Sequence, residues 1–211
     1  MERQEFGREL GAVEAKVIEL FAMVAEDVPQ AADALLNGNG EVARALAERD
    51  RVIDALYPEI EELADREMLL QQPLASDFRL LISVLRVVPE LERSHDLIVD
   101  IARRGNLILS QGLSMRSRGL IEHMGNLASE MWREAVDCWR ERDRSAAVAL
   151  GERDDEMDEL YASLMAELAS GGMTYPVTME LTLVARFYAR LADHALNIAR
   201  RVIYLAGHAP G

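Results

Sequence analysis

Between Val177 and Leu205, apolar or small residues fall at Val177, Leu181, Val184, Tyr188, Leu191, Ala195, Ile198, Val202 and Leu205, a strict alternation of four and three. That spacing places all nine on one face of an α-helix, whereas in a strand, where side chains alternate, it would scatter them over both faces. The stretch therefore reads as one long helix with a buried seam, and a seam of that length is covered only by other long helices. A second seam runs through Leu80, Val84, Val87, Leu91, Ser94, Ile98, Ile101, Gly105 and Ile108, weakened only at Ser94 and Gly105.

The two seams belong to an internal duplication. ALAERDRVIDALY from Ala45 matches ALGERDDEMDELY from Ala149 at eight of thirteen positions, and ELERSHDLIVDIARR from Glu90 matches FYARLADHALNIARR from Phe187 at six of fifteen. Gly and Pro punctuate the chain at Asn37 to Gly40, Gln72-Pro73, Gln111-Gly112 and Ser170 to Gly172, with a further break near Arg142. Six helical segments remain. The expected fold is all-α: two tandem three-helix bundles over residues 1–110 and 111–211, joined near Gln111 to Ser114, with antiparallel neighbours and a modest interface between the bundles. Pro73 and Pro176 fall at helix starts, where a missing N–H is harmless. Pro29, Pro58 and Pro89 fall inside helices and are expected to kink them.

Composition narrows the function classes. The chain of 211 residues has 50% hydrophobic side chains, enough for a sizeable core, but only 5% aromatic ones. Twenty-three basic against 37 acidic residues leave a net charge of -14, which repels nucleic-acid backbones and anionic lipid and favours cations or basic partners. The single cysteine, Cys138, forms no internal disulfide. The opening MERQEFGREL is charged where a signal peptide is apolar, and no stretch reaches the roughly 18 apolar residues of a membrane helix. A cytoplasmic protein without direct membrane insertion is expected, at most peripheral at the inner membrane through its partners.

Asp50 and Asp54 lie four apart on segment two, Asp154 and Asp158 repeat them on segment five, and Glu92, Asp96 and Asp100 project beside the seam of segment three as an exposed carboxylate ridge. Carboxylates at that spacing repel by a few tenths of a kcal/mol unless a cation neutralises them. Two such helices side by side would supply oxygen ligands to a divalent or iron cation, although the fold requires no cofactor and a duplicated solvated face would look the same.

LLQQPLASDFRLL from Leu69, LERSHDLIVDIARR from Leu91 and ARFYARLADHALNIARRV from Ala185 resemble the paired motifs of the PhoU family of phosphate-transport regulators, and the likeness spans nearly the whole chain. The resemblance implies three-helix repeats with an acidic D-x-x-x-D on the second helix and E-R-x-x-D-x-x-x-N-I-A-E on the third. In some members these acidic residues bind metal clusters. Carried over by position, it points to Asp50, Asp54, Glu92, Arg93 and Asp96 in repeat one, and to Asp154, Asp158, Arg190, Asp193 and Asn197 in repeat two. Ala189 departs from the family glutamate, Asp100 from the asparagine, and Arg103 and Arg200 from the closing glutamates. Repeat one is therefore the better metal site, with Asp193 a weaker ligand. The resemblance further implies a non-enzymatic negative regulator of phosphate uptake and phosphate-starvation signalling. Its partners would be the ATPase subunit of the phosphate ABC transporter and a sensor histidine kinase. Independently of the resemblance, a modest interface would let ligand or metal binding shift the angle between the bundles.

Other residues offer competing chemistry. Glu92 and His95 form one E-x-x-H, but di-iron carboxylate bundles need two. An iron-handling bundle and a helical adaptor with unrelated partners remain as alternatives. His194, beside Asp193, reads as a surface or bundle-edge histidine, and His123 and His208 have no evident partners. Cys138 falls with Leu127 and Met131 on an apolar face as a buried small hydrophobe. No phosphate-binding loop, dinucleotide turn, zinc-protease helix or nucleophile elbow occurs. Trp132, Val136 and Trp139 form a second apolar stripe on segment four. Packing against both bundles accounts for it, with a partner surface or homodimer contact as the alternative.

Overall fold

The computed structural model describes residues 2–70, 73–105, 108 and 112–206, except the side chains of residues 2–4. Gln111 of the expected junction and His208 lie outside the described residues. Six long helices fill the chain: α1 (Glu2–Asn37), α2 (Gly40–Leu70), α3 (Ala75–Arg103), α4 (Met115–Glu141), α5 (Arg144–Ala169) and α6 (Tyr175–Ala206), with no strand among the described residues.

The turns follow from their residues. Gly38 and Gly171 take φ of 68° and 81°, the left-handed conformation that glycine enters without steric penalty. Ser114 caps α4 by accepting from the Ser117 amide, and Asp143 caps α5 by accepting from the Ser145 and Ala146 amides. Pro29, Pro58 and Pro89 all sit inside unbroken helices.

Both seams are buried as their spacing predicts, except at their outer ends, where Leu80 and Leu205 are half-buried. Every seam residue of α6 from Val177 to Val202 is buried. The two weak positions of the α3 seam turn out to have specific uses. A Cβ on Gly105 would stand 2.5 Å from the Ala34 carbonyl oxygen and 3.0 Å from that of Leu35, so the absent side chain lets the end of α3 touch the backbone of α1. Ser94 meets His194 of the other repeat.

Helices α1, α2 and α3 pack on one another, as do α4, α5 and α6. Between the repeats, α1 lies against α4 and α3 against α6 as intimately as helices pack within a repeat, while α2 and α5 flank this central layer. One contiguous hydrophobic core runs through all six helices. This corrects the expectation of a modest interface between bundles. It also decides the second stripe on α4: Trp132, Val136 and Trp139 are buried, so they are no free partner surface. Trp132 Nε1 donates to the Leu191 carbonyl at 3.0 Å, and Trp139 meets Phe21 with ring centroids 5.6 Å apart. Two apolar stripes on α4 thus serve two sets of neighbours. Cys138 is buried, and burial pushes its thiol pKa up. No helix among the described residues is long and apolar enough to cross a membrane.

Candidate functional site

The first unusual feature lies on α1. Its buried seam runs Val13, Val17, Leu20, Val24, Asp27, Ala31 and Ala34, again by fours and threes, and one of those core positions carries an aspartate that is 1% exposed. A buried charge must be paired. Asp27 Oδ2 lies 3.0 Å from His95 Nε2 of α3, Gln30 Nε2 donates to its Oδ1 at 3.0 Å, and Arg49 of α2 lies 3.1 Å away. The other ring nitrogen of His95, Nδ1, is 2.7 Å from Asp50 Oδ1.

A fully buried imidazole with a carboxylate at each nitrogen donates to both only as the doubly protonated cation. Burial is the largest influence on His95 and opposes its charge. Hydrogen bonds to Asp27 and Asp50 outweigh it, and the pKa is raised. His95 therefore cross-links three helices of repeat one as an imidazolium. Although it lies one residue past the seam position Ser94, it is fully buried.

On the solvent side of this network, α2 and α3 bring the expected carboxylates together. Burial raises the pKa of Glu92, helped by the charges of Asp96, Asp54 and Asp50, while Arg93 opposes the shift. Asp96 is raised by burial and by Asp50, Asp54 and Asp100, with His95 opposing. Asp54 and Asp96 are exposed, but Asp50, Glu92 and Asp100 are half-buried, so the ridge is partly sunk into the groove between the helices. Asp100 is also tied to Arg104 Nη1 at 3.5 Å. These hard oxygen donors, crowded together in one groove, match a divalent cation in chemistry. Among the described residues, however, no three His, Cys, Asp or Glu side chains converge in ligating geometry.

Repeat two copies the outline and changes the contents. Burial raises the pKa of Asp154, as do Asp193 and Asp158, while Arg200 opposes them. An arginine thus acts on Asp154 from α6, as Arg93 of α3 acts on Glu92 in repeat one. Arg49 and Arg153, equivalent in the duplication, both reach back to the first helix of their repeat: Arg49 to Glu26 at 3.2 Å, and Arg153 to Glu130 and Glu134 at 2.7 Å each. At the position matching His95 stands Ala192, so the buried imidazolium belongs to repeat one alone.

His194 is 8% exposed, which rules out the surface among its two expected places, the surface or the bundle edge. Ser94 gives its hydroxyl proton to the Glu90 carbonyl at 2.5 Å, leaving its oxygen to accept from His194 Nδ1 at 2.8 Å. Burial lowers the His194 pKa, so this ring is neutral where His95 is charged. His123 has a partner after all, Glu156 at 3.3 Å. Among the other motif residues, Arg93 and Arg190 are exposed, Arg93 with Glu90 at 4.0 Å, and Asn197 accepts from Arg200 Nη1 at 3.2 Å.

Both halves of this arrangement have counterparts in known proteins. The profile of the PhoU domain matches residues 17–105 and again 121–202, which cover both acidic grooves and the buried histidine. The chain belongs to the PhoU family. The PhoU homolog of Pseudomonas aeruginosa, described as a phosphate-specific transport system accessory protein, is 32% identical over 206 residues, or 96% of this chain and 85% of that protein. The Aquifex aeolicus PhoU homolog is 34% identical over 94% of this chain and 91% of its own. The crystal structure of PhoU from Pseudomonas aeruginosa superposes with a TM-score of 0.89 at 31% identity, covering 95% of this chain and 98% of that one. That of the phosphate transport system regulatory protein PhoU from Streptococcus pneumoniae gives 0.86 at 25% identity, covering 98% and 99%.

Within this PhoU-family chain, Asp27, Arg49 and Ser94 are the residues that motif reading passed over. Two of them carried a signal. Asp27 and Ser94 are polar residues at seam positions, and a polar residue there must find a buried partner.

Proposed function

We propose that the chain is a non-enzymatic cytoplasmic accessory protein of a phosphate transport system that restrains phosphate uptake and phosphate-starvation signalling through protein contacts. Its partners on this reading are the ATPase subunit of the phosphate ABC transporter and a membrane sensor histidine kinase. The observation that carries it is the match of both repeats, in sequence and in fold, to proteins named for that system over nearly their whole length. A rigid six-helix body with one core suits a protein that works by presenting fixed surfaces.

The α2–α3 groove has a supporting role in this proposal. Asp50, Asp54, Glu92 and Asp96 recruit a divalent cation, which offsets the burial and the mutual repulsion that together raise Glu92 and Asp96. The α5–α6 groove, with Ala189 and Arg200, is the weaker of the two. A metal held there supplies charge neutralisation and no redox step.

The test is an affinity capture of the tagged protein from its own cells, grown at high and at low phosphate, with detergent-solubilised membranes and identification by mass spectrometry. Recovery of the transporter ATPase or the sensor kinase is the expected result. Recovery of neither under either condition overturns the proposal.

A further inference from the structure

Between α3 and α6, on the seam joining the two repeats, lies a cleft of about 600 Å³ whose charge is opposite to that of the molecule. Arg86 and Arg93 enter it from α3, Arg200 and Arg201 from α6, and the one acidic side chain among its lining residues is Glu90. Four arginines lining it against one glutamate stand out in a chain with 37 acidic and 23 basic residues, although Arg200 also donates to Asn197 and acts on Asp154 of the neighbouring groove. Each repeat contributes two of the four, so the cleft exists only because the repeats share an interface.

These arginines are poorly neutralised. Among the described residues, no carboxylate lies within ion-pair distance of Arg86, Arg200 or Arg201, and Arg93 has only Glu90 at 4.0 Å. Glu90 itself is directed toward His194 at 3.6 Å, with an Oε2 that is buried and accepts no hydrogen bond. Arg201 is half-buried and stacked 5.0 Å over the Tyr204 ring, which fixes its plane at the wall of the cleft. Burial lowers its pKa, and the charge of Arg86 lowers it further, the mark of two guanidinium groups crowded together without an anion between them.

We infer that this cleft is a binding site for a small multivalent oxyanion of the phosphate class. Guanidinium forks pair with phosphate oxygens through two parallel hydrogen bonds, and arginines on two facing helices surround such an anion from both sides. The size of the ligand follows from the rest of the surface. A net charge of -14 repels extended polyanions such as nucleic acids and anionic membranes, whereas a compact anion meets only the local field of the cleft. The site lies apart from the carboxylates of the α2–α3 groove and needs no metal. It stands or falls independently of the transporter and kinase contacts.

The test is isothermal titration of the full chain, stripped of metal on a chelating resin and held at low ionic strength in a buffer free of phosphate. The titrants are orthophosphate and, separately, pyrophosphate. The expected result is saturable one-to-one binding of at least one of them. It weakens as salt is added, and by about tenfold in each of Arg86→Gln and Arg201→Gln, the size of one lost charge-assisted contact. Arg140→Gln, an exposed arginine on α4 away from the cleft, leaves it unchanged and controls for net charge. No binding of either anion by the wild type overturns the inference. So does binding that survives both Arg86→Gln and Arg201→Gln in variants whose thermal unfolding matches the wild type. Uptake of a hexaglutamate peptide with neither phosphate bound overturns it as well and marks the cleft as a contact for an acidic protein segment.

Discussion

Removing the ring of His95 tests the buried ionic cross-link directly. The imidazolium is fully buried between Asp27 at 3.0 Å and Asp50 at 2.7 Å, and its loss leaves an aspartate that is 1% exposed with only Arg49 and Gln30. Breaking a buried pair from one side typically costs about 3–5 kcal/mol. Because two partners of Asp27 remain, His95→Leu is expected near the lower end, about 3 kcal/mol. Asp27→Asn, which removes one charged contact and keeps the shape, is expected to cost about 1.5–3 kcal/mol. The double variant Asp27→Leu, His95→Leu should cost less than the sum of its single changes, since it removes the charges together. The assay is urea unfolding of metal-free protein, with the midpoint shifting at constant slope.

The pH dependence of the same variant fixes the charge state. The folded pKa of His95 is raised, so its stabilising effect is complete below the free imidazole value of about 6.5 and disappears as pH rises through the folded pKa. The gap between wild type and His95→Leu should therefore narrow on the alkaline side. A gap that ignores pH, or a cost below about 0.5 kcal/mol, the range of ordinary surface changes, refutes the imidazolium cross-link.

The carboxylates of the α2–α3 groove should shift stability in the same sense, by losing an unfavourable charge rather than by gaining a favourable one. With folded pKa values of Glu92 and Asp96 raised, the native state holds protons more readily than the unfolded chain, so their contribution to stability improves as pH falls through the folded values. Asp96→Asn should stabilise the metal-free protein by about 0.2–0.5 kcal/mol and suppress the rise in melting temperature that Mn²⁺ gives the wild type; thermal unfolding with and without Mn²⁺ measures both. Gly105→Ala should destabilise by about 1–3 kcal/mol, because its new methyl meets backbone that cannot yield. Gly119→Ala, with nothing within 4 Å, should stabilise by about 0.5–1 kcal/mol, and opposite shifts in melting temperature distinguish them. Trp132→Ala should cost about 3–5 kcal/mol in denaturant unfolding, as expected for a fully buried aromatic.

The sequence made the helices legible because fours and threes have one physical meaning over nearly thirty residues. It made the duplication legible because Asp50 and Asp54 recur as Asp154 and Asp158 in matching text. What periodicity could not convey was how the repeats meet. The second stripe of Trp132, Val136 and Trp139 implied another neighbour without naming it, and only the packing of α1 on α4 and α3 on α6 assigns it. The charge of His95 was equally hidden, since it depends on Asp27, distant in sequence and brought close by the fold. The arginines of the α3–α6 cleft were readable singly as surface charges. Their proximity is a property of the interface.

The continuous core has a consequence for how this chain breaks. If residues 1–110 are expressed alone, α1 and α3 lose the helices that cover their inner faces, and Phe21 loses Trp139. The complementary fragment faces water with Trp132, Trp139 and Tyr188, all fully buried in the whole chain. The ancestral unit read in the repeat is thus no longer self-sufficient. With one core shared between the repeats, the two halves are expected to unfold in a single transition.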